Sequence, residues 1–128
     1  TGAIVVTTPS EVSLDDARKA VLMFQQVKVP VLGMVENMSY LQCPHCDERI
    51  DVFSHGGGKK TADAMSIHFL GELPLDPQVR IGGDTGHPVA AAGPDDAKGG
   101  VFYPLAKAVV ERAHEASKIS GPTMTVSD

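Results

Sequence analysis

Cys43-Pro44-His45-Cys46 holds both cysteines of the 128-residue chain, two residues apart. Two thiolates at this spacing can grip one soft metal ion or one edge of an iron–sulfur cluster, because Pro44 and His45 form a short turn that aims both sulfurs the same way. They are half a site. Tetrahedral zinc takes four donors, and iron–sulfur clusters are usually held by four thiolates, so the remainder must come from elsewhere. The sources open to the pair are His45 and His55 of the same chain, or the same two cysteines of a second copy across a two-fold axis. A redox dithiol that cycles to a disulfide is a third chemistry. Against it, such pairs usually open a helix after a strand, whereas Asp47, Glu48 and Arg49 lead into an extended alternation of Ile50, Val52 and Phe53.

Gly56-Gly57-Gly58-Lys59-Lys60-Thr61 is the second stretch that could do chemistry, as a phosphate cradle. Its spacing breaks the Walker pattern, which needs a glycine five residues ahead of the Gly-Lys-Ser/Thr end, so a flexible helix start is the stronger reading. Asn37, closing an apolar run, reads on its own as a strand-end turn former.

These residues need elements to hold them. Ala3 to Val6 forms a β-branched run suited to an interior parallel strand, buried on both faces, which makes the chain look like a piece of a larger domain. Ser13 with Asp16 gives a capping pattern, and Leu14, Ala17, Val21 and Phe24 recur at helical spacing, predicting a helix from about Ser13 to Val27 stopped before Pro30. Val31 to Val35 is a second strand. Strand, helix, strand is a βαβ unit, with parallel strands and a right-handed crossover. The cysteine turn then runs on through Ile50, Val52 and Phe53 as a small hairpin or flap. A helix after the glycine run turns Ala62, Ala64 and Met65 inward, and His68 to Leu73 is a third strand. Asp76 caps a short helix with Pro77 in its first turn, extending through Ile81 and ended by Gly82-Gly83. A loop rich in Ala, Gly and Pro reaches Gly100, and Phe102, Leu105, Ala106, Val109 and Ala113 form the stripe of a last helix.

A hydrophobic content of 42% supports one core, and the length suits one domain. The net charge of −5 leaves no basic footprint for nucleic acid. No long apolar run or lipidation motif argues for a membrane, and a reducing, cytoplasmic setting is the simplest home for two unpaired thiols.

Taken together, Ala3 to Pro9, Val31 to Ser39, Cys43 to Cys46, Phe53 to Gly58 and Leu70 to Asp76 resemble, in order, the Mrp/ApbC family of iron–sulfur cluster carrier ATPases, related to the MinD/ParA group of P-loop proteins. The resemblance implies an α/β fold, the C-terminal part of a doubly wound, mostly parallel P-loop NTPase sheet with flanking helices and a CxxC loop. Residues 1–117 would be the C-terminal half of that domain, and 118–128 a disordered tail. Cys43 and Cys46 would be cluster ligands, two pairs holding one [4Fe-4S] cluster in a homodimer joined through the CxxC loop, with zinc as a possible substitute. Asn37 would read the adenine edge, and Pro74, Leu75 and Asp76 would line the base. Cluster transfer to recipient apoproteins is the implied function, and a small zinc-binding interaction module using the CxxC and the histidines is the alternative. ATP and Mg belong to the family's complete protein. Its lysine-bearing Walker A loop and magnesium-binding acids are not in this chain, so ATP hydrolysis is not expected of it alone.

Overall fold

The computed structural model describes residues 2–119. Five strands and four helices follow in the order β1 Ala3–Thr7, α1 Glu11–Gln26, β2 Val31–Glu36, β3 Leu41–Gln42, β4 Arg49–Ile50, α2 Gly57–Ala64, β5 Phe69–Glu72, α3 Pro77–Thr85 and α4 Phe102–Ile119, with a 3-10 turn at Val89–Ala92 between the last two. β1, β2 and β5 form a parallel sheet in the order β1-β2-β5, and β3 and β4 pair antiparallel as a separate hairpin. Among the described residues no helix is long and apolar enough to cross a membrane.

α1 forms because Leu14, Ala17 and Val21 recur every three or four residues and place one stripe on the sheet, where all three are buried. They meet Val5 of β1, Met34 of β2 and Ala62 of α2 in a single core cluster. Fully burying a side chain such as Val21 or Met34 contributes about 2 kcal/mol. Helix α1 starts earlier than the Ser13 expected: the N-cap is Ser10, whose hydroxyl accepts from the Ser13 amide at 3.4 Å. Both serines fit a cap by sequence; Pro9 ends the extended segment and leaves Ser10 as the first residue free to turn.

α1 and α2 share one face of the sheet, and α4 packs on β2 and β5. Leu105 of α4 approaches Gly71 on the other face, the face that Val35 and Val6 share by register. β1 has β2 as its one strand neighbour among the described residues, and Ile4 and Val6 on the α4 side are 38% and 60% exposed. The expected interior strand is thus an edge strand here. Ala64 and Ala106 are exposed rather than inward, lying off the stripes that Ala62 and Leu105 mark.

α3 runs through Gly82-Gly83 instead of ending there. It stops at Gly86, whose φ of 75° supplies the left-handed cap that ends many helices. α4 passes the expected boundary at Ser117 and reaches Ile119, while residues 120–128 of the expected tail lie outside the described residues.

Candidate metal centre

β3 and β4 pair only through Leu41 with Ile50 and Gln42 with Arg49, leaving residues 43–48 as a turn at the tip. The turn is closed by the Cys43 amide on the Glu48 carbonyl and the Asp47 amide on the Cys43 carbonyl, both 2.9 Å. Asp47 takes φ of 58°, a left-handed conformation that Asp tolerates better than most residues. Both thiols are free, Cys43 half-buried and Cys46 exposed. The His45 amide, and after it the Cys46 amide, point at the Cys43 sulfur and hold its thiol below the ordinary range. The turn therefore favours a thiolate, the form that binds metal.

Among the described residues no group of three or more His, Cys, Asp or Glu side chains could hold a metal ion. His55 is engaged elsewhere, with Nδ1 3.2 Å from Arg49 Nη2 and 3.5 Å from Asp51 Oδ2. The zinc module expected as an alternative thus finds no complete donor set among the described residues.

At the root of the hairpin lies a polar chain that sequence reasoning missed. β2 and β5 end in register at Glu36 and Glu72, which puts two carboxylates side by side at the C-terminal rim of the sheet. Three contacts satisfy their oxygens. The Ser39 hydroxyl lies between them, 2.6 Å from Glu36 Oε1 and 2.9 Å from Glu72 Oε2, and its single hydrogen serves one at a time. Arg49 Nη1 donates to Glu72 Oε1 at 2.8 Å, and this bond above all holds the Glu72 carboxyl below the usual glutamate range and raises Arg49. Glu36 is 0% exposed and accepts from the Gly58 amide in the first turn of α2, where the helix dipole favours a negative charge. One signal was present: Val31 to Glu36 is a buried run that ends in an acid with no break.

That contact also explains the last glycine of the run. A Cβ on Gly58 would lie 2.8 Å from Glu36 Oε2, so glycine permits the carboxylate to reach the helix end. The Gly58 amide already has its acceptor, a side chain of the same protein.

A cleft of about 560 Å³ opens between the hairpin and the α3 start. Cys43, Tyr40, Pro74, Leu75, Asp76 and Lys98 are among its lining residues, so the expected base-lining loop and one expected cluster ligand share a wall. Asn37 is not in the lining; it sits one residue past Glu36, with Oδ1 accepting from the Met38 amide at 2.9 Å. Asp76 caps α3 through the Gln78 amide at 2.7 Å and pairs with Lys98 at 3.4 Å.

The chain has counterparts among known proteins. An iron–sulfur cluster transfer protein NUBPL from Dictyostelium discoideum is 42% identical over 112 residues, 88% of this chain and 35% of that protein. An iron–sulfur cluster carrier protein from Pyrococcus abyssi is 44% identical over 113 residues, 88% of this chain and 38% of that protein. The chain thus spans little more than a third of the length of these curated relatives. Among solved structures, a nucleotide-binding protein from Archaeoglobus fulgidus in complex with ADP aligns at 39% identity and a TM-score of 0.59 over 67% of this chain and 35% of that one. The cell division ATPase MinD of Pyrococcus furiosus aligns at 24% identity and a TM-score of 0.62, over 86% of this chain and 42% of that one, a likeness of fold. The model of the ParA family described as NUBPL iron-transfer P-loop NTPase matches residues 1–110, and the chain belongs to that family.

Proposed function

We propose that this chain is the cluster-holding C-terminal half of an iron–sulfur cluster carrier, with residues 1–117 completing a P-loop NTPase domain whose remaining strands pair with β1. The observation that carries this is the half-filled clamp: two thiols, one of them biased toward thiolate, at the exposed tip of a hairpin with no third donor among the described residues. A second copy supplies the other two thiolates, so that Cys43 and Cys46 of each subunit hold one [4Fe-4S] cluster at a homodimer contact.

The cluster is cargo. Transfer is ligand exchange: as a recipient cysteine thiolate forms a bond to a cluster iron, the bond from Cys43 or Cys46 breaks, and no electron changes hands. Exposure of Cys46 lets the incoming thiolate reach that iron. Nucleotide enters through the rest of the complete protein, which supplies the phosphate loop and the Mg ligands. Pro74, Leu75 and Asp76 bound the base, and Asn37, which stands outside that cleft with its Oδ1 on the Met38 amide, would have to turn its side chain to serve the base edge with one donor and one acceptor. Because Pro74 to Asp76 line the same cleft as Cys43, a base held there would touch the cluster hairpin. A cytoplasmic carrier serving soluble apoproteins fits these features, and zinc in aerobic preparations would occupy the same thiols. Anaerobic reconstitution with iron and sulfide tests the reading, with one cluster per two chains expected and none after Cys43→Ser.

A further inference from the structure

A ribbon paired over two residues a side does not hold its own pose. What fixes it lies at its base. Arg49 Nη1 and Nη2 donate to the two oxygens of Glu72 at 2.8 and 3.3 Å, and Nε donates to Asp51 Oδ1 at 2.9 Å. The guanidinium also stacks 4.2 Å from the centre of the Tyr40 ring. Tyr40 precedes β3 and Asp51 follows β4, so one side chain gathers both stems of the hairpin and ties them to β5. Glu72 is braced in turn by Ser39.

We propose that Arg49 and Glu72 are positioning residues that set where the Cys43–Cys46 turn stands relative to the sheet, and hence how firmly the turn keeps a cluster. The cluster part rests on the carrier reading above. Two hairpins that share one cluster must present four sulfurs at fixed separations, which a swinging tip cannot do. Arginine suits the task because its planar fork spans both carboxylate oxygens while its face lies on the ring; a lysine ammonium can do neither.

The test uses the complete natural polypeptide that carries this sequence, as wild type, Arg49→Ala, Arg49→Lys and Glu72→Gln. Without metal, amide hydrogen exchange is read at Cys43 and Asp47, with α1 as the internal reference. All three variants should exchange about three- to fivefold faster at those two amides, with a smaller change in α1. After anaerobic loading, wild-type cluster content with about tenfold faster loss to an iron chelator is expected, the usual range for removing a group that orients a metal ligand. Millimolar guanidinium should slow both rates in Arg49→Ala and leave Glu72→Gln unaffected. Unchanged exchange at Cys43 and Asp47, equal acceleration in α1, or faster exchange with an unchanged rate of cluster loss would each overturn the proposal. A wild-type protein that takes up no cluster would refute the carrier reading instead, and the exchange measurement would still decide whether Arg49 and Glu72 hold the hairpin.

Discussion

Glu36 and Gly58, twenty-two residues apart, meet where β2 ends and α2 begins: the buried carboxylate accepts the helix's first-turn amide, and the glycine leaves room for it. A glycine-rich turn followed by two lysines thereby serves an internal acid. The same carboxylate passes through Ser39 and Glu72 to Arg49, so the rim of the sheet, the start of α2 and the cysteine hairpin are joined by one polar path.

Removing the acid should therefore be costly. Glu36→Ala strips the Gly58 amide of its side-chain acceptor and leaves the Ser39 hydroxyl to Glu72 alone, and should lower unfolding free energy by about 1–3 kcal/mol, the usual cost of leaving a buried polar group unpaired. Gly58→Ala should destabilise by a comparable amount, since its Cβ would collide with Glu36 Oε2. Urea titration checks both. Losses under about 0.5 kcal/mol, the range of ordinary surface substitutions, would contradict the buried contact.

Cys43 should alkylate at a lower pH than an unperturbed thiol, whose midpoint is about 8.5. Residue-resolved mass spectrometry of iodoacetamide labelling against pH measures this in the metal-free, reduced protein. A Cys43 midpoint at or above the free-thiol value would contradict the alignment of the His45 and Cys46 amides on its sulfur.

The pairing of Glu72 with Arg49 should make stability depend on acid. Because the folded protein holds this carboxyl below its unfolded value, its contribution is complete above about pH 4.3 and is lost as pH falls through the lower folded value. Wild type should exceed Glu72→Gln in denaturation midpoint at pH 7 and lose that advantage toward pH 3. The pair is more than one-third exposed, so the difference should be under about 1 kcal/mol. An advantage that persists at pH 3 would contradict the ion pair.

The βαβ unit and the hairpin were legible because their signals are local: apolar runs, a helical stripe, and turn residues at fixed offsets. So was the meeting of both thiols at one turn, which needs only their spacing. The polar path was not, because Arg49 and Glu72 lie 23 positions apart and Ser39 and Glu72 lie 33 apart, and nothing near any of them in sequence names its partner. Asn37 shows the converse. Its place at a strand end was read correctly, but the side chain folds onto the next amide and stays out of the cleft that Pro74 to Asp76 line.

The central claim is that each chain brings two of the four thiolates. Anaerobic reconstitution of the complete polypeptide, followed by iron and sulfide analysis with mass measured in solution, tests it most directly. The account predicts a brown dimer with four iron and four sulfide per two chains, and a colourless protein after Cys43→Ser or Cys46→Ser. A wild-type protein that stays colourless and monomeric, or that keeps one metal ion per single chain, would contradict it.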